Sequence, residues 1–289
     1  MTTLRIIDSI TDRGDPRRDN EDAFGGNRRS AFVIDGATGL GGDFLDMGVS
    51  DAAWLARLAK DSFEELAVNG RSTAEVVRVT NERARSIVLE TLHDASAPAW
   101  SLPIAGFQMV RVSDDGRLHT SGLGDCRLFA VADDGRTFEA SAMPDSYADE
   151  REGARAAIDV AGGLAAFKAL SENPVVRDEL RRRRALYNRD EGGVWTLGIE
   201  PAAASYVKTH DIALAKPIRG LLCTDGFAAL VDQYGRYDAA SLVNEAGSRG
   251  LVSLLGDLRR IEQRDDPDGR RFPRFKVSDD ATAVLFEVV

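Results

Sequence analysis

The chain of 289 residues has a net charge of −10 and is 43% hydrophobic, which is typical of a soluble globular protein. No basic tract stands out and no apolar run reaches the roughly 18 residues of a membrane span, so we expect no binding to nucleic acid or membranes. The N-terminus lacks the apolar core of a secretory signal, and Cys126 and Cys223 lie beside apolar runs, so we expect reduced thiols in a cytoplasmic monomer.

The first half of the chain is predicted to contain strands followed by two helices. Residues 5–10 and 31–35 are apolar and β-prone, which predicts two strands. Apolar residues recur at helical spacing over 47–68, which predicts the first helix. The capping-box sequence at 72–75 predicts the start of a second helix that continues to about residue 92.

The second half begins with residues 104–142, where the turn sequence Asp-Asp-Gly-Arg occurs twice between β-prone residues. This pattern predicts two hairpins, and with them four strands in antiparallel succession. Helical sequence follows over 149–183, where we expect the basic run 181–184 to lie on an exposed helix face. The remaining predicted elements are strands at 205–211 and 219–225, helices at 239–245 and 251–263, and a final strand at 282–288.

Strands grouped in blocks and helices grouped in pairs favour an α+β fold over a strictly alternating α/β fold. About twelve short strands are too many for one open sheet, so we expect two packed antiparallel β-sheets. This central β-sandwich would be flanked by pairs of α-helices, which gives four α-β-β-α layers. Neither a linker nor an internal repeat interrupts the sequence, so we expect a single domain over 1–289.

Several acidic residues lie at the ends of apolar runs. Asp35 and Asp225 each end such a run and precede a glycine, while Asp279 and Asp280 directly precede the last strand. A carboxylate buried at a strand end needs a partner, and the natural partner of several carboxylates is a divalent cation. Each Asp-Gly pair alone is typical of a turn. Carboxylates from three distant positions together favour Mg²⁺, Mn²⁺ or Ca²⁺ over zinc.

Five motifs in order carry a family resemblance: RRDNEDAF, FVIDGATG, GLGDCR, LLCTDG and SDDAT. The series resembles the metal-dependent protein phosphatases of the PPM, or protein phosphatase 2C, class, and it extends over residues 8–289. The resemblance implies a dinuclear Mg²⁺ or Mn²⁺ centre at one end of a β-sandwich, with a third, weaker cation in some members. Two such cations activate a water molecule for in-line attack on the phosphorus of phosphoserine or phosphothreonine.

The resemblance also implies ligands for the cations. Asp35 would bridge the two ions and the carbonyl of Gly36 would bind one of them. Asp225 and Asp279 would complete the coordination of the other. Asp145, ahead of a helical segment, is the candidate ligand of the third ion.

Three further residues receive roles from the resemblance. Glu21 and Asp22 would hold metal-bound waters, directly or through a second layer of contacts. Arg17 would bind the substrate phosphate, because a guanidinium matches phosphate oxygens bidentately. Without these roles, the dense charges of residues 17–26 would be interpreted as those of a solvated loop.

The chain departs from the resemblance in three places. Ala37 stands where some relatives have a histidine proposed as the general acid, and Asp280 replaces a common asparagine. The segment 164–198 is longer and more charged than the corresponding region of many relatives, and we expect it to form a flap beside the active site. This flap would contact the substrate, or it would be a partner-binding or structural insertion.

Three functions are compatible with these residues. The first is a phosphoserine/phosphothreonine protein phosphatase, with a phosphorylated protein as substrate and a cognate Ser/Thr kinase as its counterpart. The second is a catalytically silent binding module with the phosphatase fold, and the third is a phosphatase of a small phosphorylated metabolite. The sequence retains Arg17 and the three metal carboxylates, which favours an enzyme.

Overall fold

The computed structural model describes residues 2–68, 70–92, 96–143, 146–164 and 169–289. Within these ranges, ten strands form two five-stranded sheets, and every strand pairing is antiparallel. In chain order the strands are β1 (Leu4–Asp12), β2 (Asp22–Gly26), β3 (Ser30–Gly36), β4 (Ala105–Val112), β5 (Leu118–Leu123), β6 (Arg127–Ala132), β7 (Thr137–Ala140), β8 (Lys208–Asp211), β9 (Ile218–Cys223) and β10 (Ala281–Val288). One sheet has the order β1-β10-β9-β6-β7, and the other has the order β2-β3-β4-β5-β8.

Seven α-helices lie in the described part of the chain. They are α1 (Asp51–Val68), α2 (Thr73–Leu92), α3 (Ser146–Ala161), α4 (Pro174–Arg184), α5 (Asp225–Asp232), α6 (Ala239–Arg249) and α7 (Leu251–Arg260). The predicted capping box opens α2, because the amides of Ser72 and Glu75 donate to each other's side chains at 2.9 and 3.2 Å. Each of these helices is too short or too polar to cross a bilayer.

Three apolar layers hold the sheets and helices together. The sandwich interior is formed by side chains from both sheets, including Val33, Leu128 and Phe286. Outside one sheet, the Phe63 ring of α1 packs edge-on against Phe32 and Phe107, with ring centroids 5.3 and 5.0 Å apart. Helices α5, α6 and α7 cover the other sheet. The predicted four-layer α-β-β-α architecture is confirmed.

Three details of the predicted strand arrangement differ from the structure. The hairpins β4-β5 and β6-β7 exist, but they belong to different sheets, so β5 and β6 do not pair with each other. The chain changes sheet at Gly124, whose backbone has a φ of 76° and approaches Gly106 closely. The described residues contain ten strands rather than about twelve, and β2 was not predicted.

The sheet registers bring distant strand ends to one end of the sandwich. Asp22, at the start of β2, is paired with Asp35 near the end of β3, and Asp35 is paired with Gly106 at the start of β4. In the other sheet, β9 ends beside the start of β10, where Cys223 is paired with Ala283. Both cysteines are buried and unpaired, as expected.

Candidate active site

Acidic residues from both sheets converge at this end of the sandwich. The backbone amide of Asp225, which opens α5, lies 3.4 Å from a carboxylate oxygen of Asp35, a residue 190 positions earlier in the chain. Asp125, in the connection between β5 and β6, and Asp279, before β10, both contribute to the electrostatic environment of Asp225. The structure therefore brings together the three metal-ligand candidates Asp35, Asp225 and Asp279.

Two threonines fix the position of Asp22 in this cluster. The Thr224 hydroxyl donates to an Asp22 carboxylate oxygen at 2.8 Å, and it accepts the backbone amide of Thr282 at 2.9 Å. These contacts connect the start of β2 to the adjoining ends of β9 and β10. Asp22 is thus held by hydrogen bonds between the two sheets.

The two Asp-Gly pairs are sites of close backbone packing. A Cβ atom at Gly36 would lie 2.5 Å from the Glu21 carbonyl and 2.9 Å from the Ala52 carbonyl. A Cβ atom at Gly226 would lie 2.0 Å from the Asp280 carbonyl. Only glycine fits at either position, because neighbouring backbone atoms fill the space that a side chain would need.

The carboxylates of the cluster destabilise one another in their charged form. Burial raises the pKa of Asp35 well above its ordinary value, and the neighbouring Asp225 and Asp22 raise this pKa further. Burial, Asp125 and Asp279 raise the pKa of Asp225 to about 7. The site is therefore a concentration of partly desolvated negative charge, which a bound cation would stabilise.

This donor set fits a hard divalent cation. The side chains that converge offer carboxylate oxygens, and neither a thiolate nor an imidazole stands among them, which suits Mg²⁺ or Mn²⁺. In the described ranges no three acidic, histidine or cysteine side chains are already gathered as a ready-made ligand cluster. Individual carboxylates instead have hydrogen-bond partners of their own, such as Thr224 for Asp22 and Lys276 for Asp279.

Glu21 and Asp280 hold the loops around the cluster. The Glu21 carboxylate accepts the hydroxyls of Thr38 and Ser50, the latter at 2.8 Å, and thereby anchors the turn that leads into α1. The Asp280 carboxylate accepts the amides of Gly14 and Glu21 at 3.2 and 2.7 Å. Asp280 thus ties the charged segment before β2 to the start of β10 and does not merely face solvent.

An open cavity of about 330 Å³ adjoins the cluster at Asp279, whereas Asp22, Asp35 and Asp225 do not line it. Its lining comprises Asp15, Arg18, Asp19, Glu21, Thr38, Ala169, Ser171, Glu172, Lys276, Ser278, Asp279 and Asp280. The guanidinium of Arg17 pairs with the Asp15 carboxylate through Nε at 2.8 Å, and 60% of the Arg17 side chain is exposed. Arg17 thus stands beside the cavity in an ion pair, whereas Arg18 contributes to the wall.

Within the predicted flap, residues 164–198, the described helix α4 contacts the loop that follows Gly36. Arg181 of α4 donates to the Leu40 carbonyl at 2.8 Å and lies 4.0 Å from the Trp100 ring centroid. Arg184 donates to the Thr38 carbonyl at 2.5 Å, and burial lowers the pKa of Arg184. Two arginines of the basic run therefore point inward, contrary to the expected exposed face, because free carbonyls of the loop lie within their reach.

Sequence reasoning missed three residues of this site. Asp125 ends the β5 run, so an acid at a strand end was the signal available for it, although no glycine follows it. Thr38 and Lys276 carry no such signal, because the hydrogen bond between them joins two loops that are far apart in the chain. Asp145, the candidate ligand of a third cation, lies outside the described residues, and its role stays a prediction.

Comparisons with known proteins agree with this architecture at the level of the fold. No protein-family model and no curated protein sequence matches the chain. Among solved structures, the catalytic domain of the serine/threonine protein phosphatase PstP, in complex with two manganese ions, superposes with a TM-score of 0.54 at 16% identity over all of both chains. The chain has the fold of the PPM phosphatases.

Two further structures show the same likeness to the PPM fold. The PPM Ser-Thr phosphatase MsPP from Mycobacterium smegmatis, in complex with cacodylate, has a TM-score of 0.52 and 19% identity over 96% of each chain. PppA, a regulatory component of the type VI secretion system in Pseudomonas aeruginosa, has a TM-score of 0.54 and 14% identity over all of both chains. At such low identities, the likeness establishes the fold alone.

The raised pKa of Asp225 predicts a specific pH dependence of stability in metal-free protein. The folded state keeps a proton on Asp225 that the unfolded chain releases, so this stabilisation is present below about pH 4 and is lost as the pH rises toward 7. Asp225→Asn should therefore increase the free energy of unfolding by on the order of 2 kcal/mol more at about pH 7.5 than at about pH 4.5. Urea unfolding with a chelator present measures this difference, and an equal effect at both pH values would contradict it.

Proposed function

We propose that the chain is a metal-dependent phosphatase of the PPM class that hydrolyses phosphoserine and phosphothreonine in proteins. The observation that carries this proposal is the convergence of Asp22, Asp35, Asp225 and Asp279 at one end of the sandwich, where Asp279 also lines an open cavity. A structural neighbour, PstP, holds two manganese ions, and another, MsPP, holds cacodylate. Both facts support a cation site that accepts an oxyanion.

Each acidic residue has a role in this proposal. Asp35 would be shared by the two cations of a dinuclear Mg²⁺ or Mn²⁺ centre. The Gly36 carbonyl would help to hold one cation, and Asp225 and Asp279 would help to hold the other. When bound, the two cations would supply Lewis-acid chemistry, which lowers the pKa of a water molecule and stabilises charge on the phosphoryl oxygens. The Asp22 carboxylate, fixed by Thr224, would accept a hydrogen bond from that water.

Arg17 binds the substrate phosphate in this proposal. The ion pair between Arg17 and Asp15 lies at the surface, where such pairs contribute little to stability. The guanidinium can therefore exchange the Asp15 carboxylate for phosphate oxygens, with which it forms paired charge-assisted hydrogen bonds. The methyl side chain of Ala37 cannot act as a general acid. We propose that the leaving serine or threonine alkoxide takes its proton from water in the cavity.

The flap provides the wall that a protein substrate would contact. Ala169, Ser171 and Glu172 of the predicted flap line the cavity together with Asp15, Arg18 and Asp19. A phosphorylated side chain that enters the cavity would contact both segments. This contact supports the proposal of a phosphorylated protein as substrate, with a Ser/Thr kinase as the enzyme that phosphorylates it.

Manganese-dependent turnover tests the proposed reaction. The wild-type protein should hydrolyse both an aryl phosphate and a phosphothreonine peptide with Mn²⁺, and Asp35→Asn should lower kcat/KM at least roughly a hundredfold, because a bridging ligand is lost. Asp114→Asn is the matched control, since Asp114 lies in the hairpin at the opposite end of β4 and its side chain is 98% exposed. This control should retain wild-type activity.

The outcomes of the turnover assay separate the candidate functions. If the protein hydrolyses the aryl phosphate but not the phosphothreonine peptide, a small-metabolite phosphatase is favoured. A folded, manganese-loaded protein that hydrolyses neither substrate contradicts the proposal and leaves a silent binding module.

The two adjacent arginines provide a second test. Arg17→Ala should raise the KM for the aryl phosphate roughly tenfold, because a charge-assisted contact to phosphate is lost. Arg18→Ala removes a cavity-wall cation and should have a smaller effect. Steady-state kinetics of both variants show which arginine binds the substrate phosphate. A larger increase in KM for Arg18→Ala would assign phosphate binding to Arg18 instead of Arg17.

A further inference from the structure

Lys276 places a positive charge inside the acidic cluster. It lies three residues before Asp279, in the wall of the cavity. Its Nζ atom donates to an Asp279 carboxylate oxygen, Oδ1, at 2.5 Å and to the Thr38 hydroxyl at 2.9 Å. The Lys276 backbone is also held, because it pairs with Ala169 of the flap. This lysine is therefore built into the site and is not a free surface side chain.

The contact with Lys276 competes directly with a cation for Asp279. The Oδ1 atom of Asp279 also accepts the backbone amide of Asp280 at 2.9 Å, so both lone pairs of this oxygen have donors. A divalent cation that binds through this oxygen must displace the ammonium group. An approach through the other oxygen would leave the two positive charges close together.

Lys276 supplies a counter-charge to the carboxylates around it. Its ammonium contacts Asp279 directly and Glu21 through the Thr38 hydroxyl. A lysine side chain is ionised at neutral pH, so this contact is an ion pair. Lys276 also links Asp279 to Glu21, because the Thr38 hydroxyl accepts from Lys276 and donates to Glu21.

We propose that Lys276 is a built-in counter-cation of the acidic site, which stabilises Asp279 in the metal-free protein and weakens the binding of the divalent cation at Asp279. This inference rests on the proposed function, because it assumes that a divalent cation binds there. Lys276 is a positioning and affinity-setting residue in this account, and it takes no part in proton transfer. The cation at Asp279 consequently binds less tightly than the carboxylates alone would allow.

Calorimetric titration with Mn²⁺ tests this proposal without measuring activity. Lys276→Met keeps the length and apolar stem of the side chain but removes the charge, and it should tighten the weaker Mn²⁺ site roughly tenfold or more. Lys276→Arg keeps the charge and should bind Mn²⁺ as the wild type does. Lys216→Met is the matched control, because Lys216 contacts Thr2 and Gly116 at the opposite end of the sandwich, and its substitution should leave the affinity unchanged.

Thermal unfolding provides an independent readout in the same three variants. Metal-free Lys276→Met should melt below the wild type, because Asp279 has lost its counter-charge, and saturating Mn²⁺ should raise its Tm by more than it raises that of the wild type.

The possible results distinguish failure of this inference from failure of the proposed function. Equal or weaker Mn²⁺ binding by Lys276→Met, with the wild type binding normally, would overturn the role of Lys276 and leave the cation site intact. Mn²⁺ binding by neither protein would remove the cation site itself, and with it both proposals. If Lys276→Met and Lys216→Met both bind Mn²⁺ more tightly, the cause is the change in net charge rather than the position of Lys276. This result would also contradict the inference.

Discussion

The mutual repulsion of carboxylates at one end of the β-sandwich is the constraint on which the rest of this structure depends. Burial raises the pKa values of Asp22, Asp35 and Asp225, and neighbouring carboxylates raise each of these values further. A fold maintains such an arrangement only where rigid elements fix it. The sheet registers do this, because they pair Asp22 with Asp35 across two hydrogen-bonded strands.

The surrounding contacts compensate locally for this repulsion. Thr224 donates to Asp22, Lys276 donates to Asp279, and the amides of Gly14 and Glu21 donate to Asp280. Each contact satisfies one carboxylate, and those of Thr224, Gly14 and Glu21 also join distant segments of the chain. Lys276, Asp279, Asp280 and Glu21 line the cavity, so part of this hydrogen-bond network also shapes the cavity wall.

The sequence was sufficient to predict the layered fold and the position of acids at strand ends, because both follow from local patterns. Apolar periodicity identified α1 and α2, and the Asp-Gly pairs at Asp35 and Asp225 marked strand ends at which only glycine fits next. Local patterns do not specify which strands pair with each other. The sequence therefore did not predict that β5 and β6 belong to different sheets. The roles of Lys276 and Thr38 were missed for the same reason, since their contacts join loops that are far apart in the chain.

The number of Mn²⁺ ions bound per chain tests the central claim most directly. Equilibrium dialysis with metal analysis at neutral pH would count the ions in the wild type and in Asp35→Asn. If the acidic cluster is a dinuclear cation site, the wild type binds two ions and the variant binds fewer, because the shared ligand is lost. No binding by the folded wild type at millimolar Mn²⁺, or two ions in both proteins, would contradict this account of the site.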